Sequence, residues 1–278
     1  MVNVIGIVGQ GFVGSAVKEG MKNHFKIETF DILPDKSTTN SLEELYNKTD
    51  LIFVCLPTPM KKSGECDTKI VDSVFSQLNQ MGNGKIVVLK STVPPGTCKS
   101  FQEKYPNINL IFNPEFLTEA NAVMDFINQD RIVLGGNNGL TETADMFRRA
   151  FPFIPIVQTS SDVAEMVKYV ANCFLSVKVV FANQLFEVCS SAGINYDEVA
   201  GISKLDKRLG LSHWKVPGPD GDRGYGGHCF PKDMSAFLKF GENNGINLSL
   251  IKESIDYNNI VRKNRDWETM VGRAVSDE

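Results

Sequence analysis

The segment VNVIGIVGQGFVG, residues 2–14, constrains the fold of this chain more than any other. A strand-length apolar run leads straight into Gly9-x-Gly11-x-x-Gly14, and a helical stretch carries on to about Gly20. A strand that is apolar along its whole length, and not only at alternate positions, belongs in a parallel sheet covered on both faces. The three glycines suit a tight turn, close approach of a diphosphate, and close packing of a helix on the strand. The unpaired N–H groups at the helix start would then meet the phosphates.

The same alternation recurs downstream. Apolar runs at KIETF (26–30), LIFVC (51–55), KIVVL (85–89), NLIF (109–112) and RIVLG (131–135) are separated by helical patterns such as SLEELYNK (41–48) and TKIVDSVFSQLNQM (68–81). The expected fold class is therefore α/β, a doubly wound Rossmann-type parallel sheet over residues 1–160. Asp31 closes the second strand 22 positions after Gly9. A carboxylate there accepts hydrogen bonds from ribose hydroxyls and repels a 2′-phosphate, which favours NAD as cofactor. Lys36, a few residues on, keeps NADP open.

Beyond residue 160 the pattern changes. Apolar residues at 163, 166, 167, 170, 174, 177, 181, 185 and 188 hold helical spacing over roughly eight turns. Ser160 or Ser161 suits the start of this long helix and Gly193 its stop. SAFLKFGENNG (235–245) and LIKESIDYNNIVRKNRDWETMVGRAV (250–275) read as two more helices, the last running to the chain end. Residues 161–278 are thus expected to form an all-helical central domain for substrate binding and dimerisation.

Composition narrows the partners. Hydrophobic residues make up 42% of the 278 and charged residues 22%, with a net charge of −4 and no long basic run. Nucleic acid and membrane surfaces are therefore not expected partners. The six cysteines, at 55, 66, 98, 173, 189 and 229, form no CxxC pair and no metal-type spacing, so no metal is expected. Scattered thiols and a start without a cationic leader region suggest the cytoplasm.

Several short stretches carry residues suited to chemistry. CLPTP (55–59) and KSTVPPGT (90–97) follow the third and fourth strands and bring Thr58 and Thr92 to the sheet's carboxyl edge, where ligands gather in such folds. NPEFLTEANA (113–122) places Glu115 and Glu119 at i, i+4, on one face if the segment is helical. Lys168 and Asn172 stand in the same relation on the long helix, off its apolar stripe, and suit a sugar hydroxyl and the alkoxide formed from it. In GYGGHCFPKD (224–233), Pro231 fits the first position of a helix and Cys229 lies just before it. The helix dipole, its free N–H groups and Lys232 favour a thiolate there. Gly224, Gly226 and Gly227 leave room beside the sulfur, and Asp233 is set to handle a proton or orient a water. Taken singly, each pair also fits a solvated helix face, and the cysteine a small buried thiol.

Taken together and in this order, GQGFVG, CLPTP, STVPPGT, NPEFLTEA, EMVKYVANCFLSVKVVFANQ and GYGGHCFPKD resemble the UDP-glucose/GDP-mannose dehydrogenase family. The resemblance implies an NAD-dependent, four-electron oxidation of a nucleotide sugar, UDP-glucose to UDP-glucuronate, through a thiohemiacetal and a thioester on Cys229. It implies that Lys168 and Asn172 hold the sugar and its oxyanions, with Gly226 in the substrate site and Asp233 assisting. Glu115 would aid thioester hydrolysis while Thr92 orients the water. The implied cofactor set is Gly9, Gly11, Phe12, Val13, Gly14, Asp31, Thr58, Thr92, Glu119 and Lys232. Implied partners are the nucleotide sugar and a second copy of the chain, docked through the helical domain.

Two departures from the family pattern stand out. The family's third, C-terminal domain, which helps hold UDP, has no counterpart before Glu278. The loop DKRLGLSHWKVPGPDGDRGYGG (206–227) is longer than the family's and reads SHW for SHY; Arg208 and Arg223 in it are expected to meet phosphate charge. Three alternatives stay open: oxidation of GDP-mannose or a UDP-N-acetylhexosamine, a two-electron β-hydroxyacid-type dehydrogenase, and an inactive NAD-binding subunit that needs a partner domain.

Overall fold

The computed structural model describes residues 1–277 apart from Asn83; the last residue of the expected second domain, Glu278, lies outside the described residues. The chain divides into two compact units. The first comprises Met1–Thr58 and Asp67–Lys168, and the second comprises Pro59–Cys66 and the chain from Tyr169 onward.

The first unit is built on seven strands among the described residues: β1 (Val4–Val8), β2 (Lys26–Phe30), β3 (Leu51–Val54), β4 (Lys85–Leu89), β5 (Ile108–Phe112), β6 (Ile132–Gly136) and β7 (Ile156–Thr159). They lie in the order β2-β1-β3-β4-β5-β6-β7. Side chains alternate across a strand, so each apolar run feeds both faces of the sheet. Val8, Ile52, Val54, Val87 and Leu89 enter the core on one face, and Ile5, Ile7, Leu51, Phe53 and Val88 enter the core on the other. Helices α1 (Phe12–Met21), α2 (Leu42–Lys48), α3 (Lys69–Met81), α4 (Thr97–Lys104), α5 (Ala122–Ile127) and α6 (Leu140–Ala150) complete the unit. Local sequence starts some of them cleanly. The Ser41 hydroxyl accepts from the Glu44 N–H at 3.0 Å and caps α2.

Three expectations need correction. The sheet is mixed, because β6 pairs antiparallel to β5 while β7 runs parallel to β6. The link from β5 holds a short 3₁₀ turn and the six-residue α5, which seats Phe126 over Gly20 of α1, where a Cβ would come 2.4 Å from the ring. No helix of crossover length is available to return the chain parallel. Residues 113–118 are not helical, and a short 3₁₀ turn, Glu119–Asn121, follows them. Pro114 disfavours the helical region for Asn113, and the Glu115 carboxylate takes the Leu117 N–H at 2.8 Å, a local bond that competes with helix formation. The final helix also stops early, as described below.

Helix α7 (Ser161–Ala192) contributes Ser161–Lys168 to the first unit and the remainder to the second. It ends where Gly193 adopts φ +70° and the Ile194 N–H reaches back to the Cys189 carbonyl at 2.8 Å. Its length and a mean hydropathy of 1.3 would admit a membrane span. Yet Glu165, Lys168, Asn172 and Asn183 on it are all buried with protein partners, as befits a core helix.

The second unit adds α8 (Tyr196–Ser203), α9 (Phe230–Asn243) and α10 (Ser249–Val261). Tyr169, Cys173, Val180, Tyr225, Met234 and Ile251 form one small core, and Ala182, Cys189, Tyr196, Trp214 and Val216 form another. Met60 bridges to Cys66 and to Val275, which brings residues 59–66 into this unit. Helix α10 ends at Val261 because Asp222 captures the N–H groups of Lys263 and Asn264 at 3.1 and 2.7 Å. The Arg262 side chain, 1% exposed, turns in toward Asp220, Asp222 and Asp266.

Candidate active site

The glycine loop separates into three positions with three different demands. Gly9 has φ +88°, and a Cβ on it would stand 2.3 Å from the Cys55 carbonyl oxygen. A Cβ on Gly14 would meet the Gly9 carbonyl at 1.9 Å, so this glycine is required by helix-on-strand packing. Gly11 meets nothing within 4 Å. The fold itself does not exclude a side chain there, and the open space suits the close approach of a diphosphate. Gly11 is also the N-cap of α1, which has neither a side-chain cap nor an acidic residue in its first turn. Its leading N–H groups are set to receive an anion. The residues present therefore fit a dinucleotide. Phe12 and Val13 begin the helix half-buried beside the loop. Asp31 follows β2 and accepts the Gln10 N–H at 2.6 Å and the Leu33 N–H at 2.9 Å, so it braces the loop as well as offering a carboxylate to a ribose. Thr58 is buried and its hydroxyl donates to the Thr92 carbonyl at 2.8 Å, which ties two of the carboxyl-edge loops together. Glu119 is exposed, and it shares no helix face with the buried Glu115.

Glu115 lies in a buried polar cluster of the first unit. Lys168 donates to its carboxylate at 2.8 Å and to its backbone carbonyl at 2.6 Å. Burial pushes this carboxyl up, but the Lys168 charge and hydrogen bond, the Leu117 N–H and the charge of Lys90 together hold it below the usual range. Lys90 donates to Asn113 Oδ1 at 2.7 Å, and Asn113 donates in turn to the Val133 carbonyl at 2.8 Å. Burial lowers the Lys90 pKa to about 8, and burial raises the Cys55 thiol to about 12. Sequence reasoning missed Lys90. The signal was present in its place directly after an apolar strand, at the edge where ligands gather.

The second unit gathers the remaining residues around the start of α9. Cys229 is the N-cap of that helix, half-buried, and its carbonyl accepts the Asp233 N–H at 3.0 Å. Asp233 is 1% exposed, and both carboxylate oxygens are engaged: Asn172 donates to one and Lys232 to the other, each at 2.5 Å. Lys168 and Asn172 are thus buried, not a solvated face, and they stand one turn apart on α7. Burial disfavours the Lys232 ammonium, but Asp233 and the thiols of Cys66 and Cys229 outweigh it and raise its pKa. Lys232, paired with Asp233, therefore shares the first turn of α9 with the N-cap thiol.

The loop before Cys229 is held from the C-terminal side by residues that sequence reasoning did not single out. Asn258 accepts the Tyr225 N–H at 2.7 Å and donates to its carbonyl at 3.0 Å. Both oxygens of Asp266 lie 3.1 Å from the Gly227 N–H. A Cβ on Gly226 would come 2.3 Å from the Arg262 guanidinium, so this glycine meets a packing demand of the chain itself. Arg223 is engaged by Asn183, Glu187 and Tyr257. Arg208 is exposed and pairs with its neighbour Asp206.

A glycine loop at the first βα turn of a doubly wound sheet, followed by a long helix, defines a dinucleotide-binding protein of the Rossmann type. Residues 33–151 match the model of the UDP-glucose/GDP-mannose dehydrogenase family NAD binding domain, and residues 162–260 match the model of its central domain. The chain belongs to the UDP-glucose/GDP-mannose dehydrogenase family, and the first unit carries its NAD-binding domain. It is 35% identical over 234 residues to a UDP-glucose 6-dehydrogenase of Rickettsia prowazekii, covering 80% of this chain and 52% of that one. A UDP-glucose 6-dehydrogenase of Bacillus subtilis is 34% identical, covering 79% and 48%. The chain thus spans about half the length of these curated relatives. Among solved structures, a UDP-glucose dehydrogenase of Pyrobaculum islandicum superposes with a TM-score of 0.83 at 26% identity, covering 94% of this chain and 68% of that one. A 3-hydroxyisobutyrate dehydrogenase of Mycobacterium tuberculosis, 14% identical with a TM-score of 0.72 and 94% coverage of both chains, shares the fold.

Proposed function

We propose that the chain oxidises UDP-glucose to UDP-glucuronate, with Cys229 as the nucleophile that holds the half-oxidised sugar. The observation that carries this reading is the N-cap thiol of α9, with Lys232 and Asp233 in that helix's first turn and Asn172 of α7 donating to Asp233. The names of the curated relatives support the choice of sugar.

Bound NAD would supply the hydride acceptor, a fresh NAD replacing the first NADH before the second hydride leaves. Lys168 and Asn172 hydrogen-bond the C6 oxygen and stabilise negative charge on it, while Asp233 takes up or returns the proton. Loss of one hydride and one proton gives the aldehyde. The Cys229 thiolate adds to that carbon, forming a C–S bond, and the resulting thiohemiacetal can lose a second hydride. The thioester so formed is cleaved by water, which leaves the carboxylate on the sugar and the thiol on Cys229. Thr92 and Glu115 orient this water. Glu115 is held anionic by Lys168, which suits it to aim a water more than to act as a strong base. Helix α7, which belongs in part to each unit, is the covalent link between Lys168 and Asn172. Arg208 and Arg223 remain the proposed partners of phosphate charge. The same reading includes a homodimer, supported by the exposed apolar row Val170, Phe174, Phe181 and Val188 on α7.

The test is the stoichiometry of NADH per UDP-glucose, with excess NAD, beside Cys229→Ser. The expected result is about two per sugar in the wild type and loss of steady turnover in the variant. One NADH per sugar with an unaffected variant would replace this reading by a two-electron dehydrogenase.

A further inference from the structure

His213 stands out in the loop that precedes Cys229. It is the one non-glycine residue with positive φ among the described residues, at +66°. A histidine held in the left-handed region is strained, and strain persists only where the surroundings over-determine it. They do so here. The Tyr196 hydroxyl donates to the Trp214 carbonyl, the Trp214 indole N–H donates to the Gly210 carbonyl at 2.9 Å, and Lys178 donates to the Leu209 and Gly210 carbonyls at 2.8 and 3.3 Å. Both flanks of His213 are therefore anchored, and the imidazole has little freedom to leave its place.

Two further observations concern the ring. Nδ1 is buried and has no hydrogen-bond partner among the described residues, an arrangement that folded proteins avoid unless something outside the chain completes it. The ring lies against Phe230, with centroids 5.7 Å apart, and Phe230 directly follows Cys229. Burial first, and then the nearby Lys178 charge, lower the pKa of this histidine, so it is neutral near pH 7. A neutral imidazole nitrogen suits a hydroxyl better than a phosphate, which prefers a cation.

We propose that His213 is a substrate-contacting residue whose Nδ1 hydrogen-bonds a hydroxyl of the hexose carried to Cys229. This rests on the proposed nucleotide-sugar reading and names a specificity-determining contact within it. The strained backbone is then the means by which the loop aims the ring.

Two substitutions separate contact from scaffolding. His213→Gly removes both the ring and the backbone strain. It should raise the KM for UDP-glucose about tenfold, with a thermal midpoint at or above that of the wild type. His213→Asn tolerates left-handed φ and places an amide close to the position of Nδ1, so it should recover most of the loss. A His213→Gly variant with unchanged KM overturns the proposal.

A second readout does not need turnover. The chain has three histidines, so comparison with His213→Asn assigns the His213 resonances in an imidazole ¹⁵N spectrum. UDP-glucose should move the Nδ1 resonance while UDP alone leaves it in place. Oxidation of UDP-glucose with an unmoved Nδ1 removes the His213 contact and keeps the function. A shifted Nδ1 without oxidation keeps the contact and removes the proposed reaction. No shift and no oxidation with UDP-glucose, GDP-mannose or a UDP-N-acetylhexosamine removes both.

Discussion

The two units solve the same problem, holding a few polar groups in fixed positions, by different means. In the first, the features that fit a diphosphate are backbone: a turn at Gly9, an open Gly11 at the start of α1, and a Gly14 that allows the helix to touch the strand. They rest on a sheet with a continuous apolar core on each face. In the second, the cores are smaller, and the Cys229 neighbourhood is held by side chains distant in sequence. Asn172 and Asp233 are 61 residues apart, and Gly227 and Asp266 are 39 apart. Backbone features tolerate most changes around them, whereas a polar clamp fails when one partner is lost, because the other is left buried and unpaired.

The sharpest way to break this comparison is Cys229→Ser. If the units divide the work as proposed, turnover should fall at least about 10³-fold while NAD binding, followed by titration calorimetry, persists. Arg262→Met comes next. It leaves Asp220, Asp222 and Asp266 without their buried cation, and should cost about 3 kcal/mol. Both tryptophans of the chain, Trp214 and Trp267, belong to the second unit. Their emission therefore reports its denaturation midpoint directly.

The glycines test the other side. Gly14→Ala forces a Cβ into the Gly9 carbonyl and should destabilise the first unit by about 2 kcal/mol as overpacking. Gly11→Ala meets open space. It should change stability by less than about 0.5 kcal/mol yet weaken NAD binding about tenfold, measured by titration calorimetry. Equal stability losses from the two would mean that Gly11 serves the fold and not the ligand.

Glu115→Gln should cost about 2 kcal/mol at pH 7, and it carries a pH signature. The carboxyl is held below its ordinary value of 4.5, so its stabilising contribution is present above that value and is lost as the pH falls through the folded-state pKa. The wild-type advantage over Glu115→Gln should therefore shrink steadily below pH 4.5. A gap independent of pH would show that shape, and not the charge pair with Lys168, matters at this position.

The legible parts of the molecule share a cause. Strands β1 and β3 to β6 appear in the sequence as apolar runs because they are largely buried on both faces, and α7 appears because its apolar stripe recurs for eight turns. β7 was missed because its residues are largely exposed and interrupt the run with Gln158 and Thr159. The antiparallel turn into β6 depends on how α5 packs on α1 through Gly20 and Phe126, a contact with no local pattern. Glu115 and Glu119 at i, i+4 suggested a shared face, but Pro114 and a two-residue hydrogen bond kept the segment out of helix. Lys90, Asn258, Arg262 and Asp266 carry no motif of their own. They matter only because the fold buries them against partners far along the chain.

By itself, then, the amino-acid order determined the dinucleotide loop, the doubly wound core, the long helix and the placement of Cys229 just before α9. Each of these follows from contacts within a few residues or from a repeating period. Only the tertiary structure decided that Lys168 would pair with Glu115, that Asp233 would be gripped by Asn172 and Lys232, and that His213 would be held in a left-handed backbone. Those outcomes depend on burial, which raises the cost of every unpaired polar group and so selects its partner from anywhere in the chain.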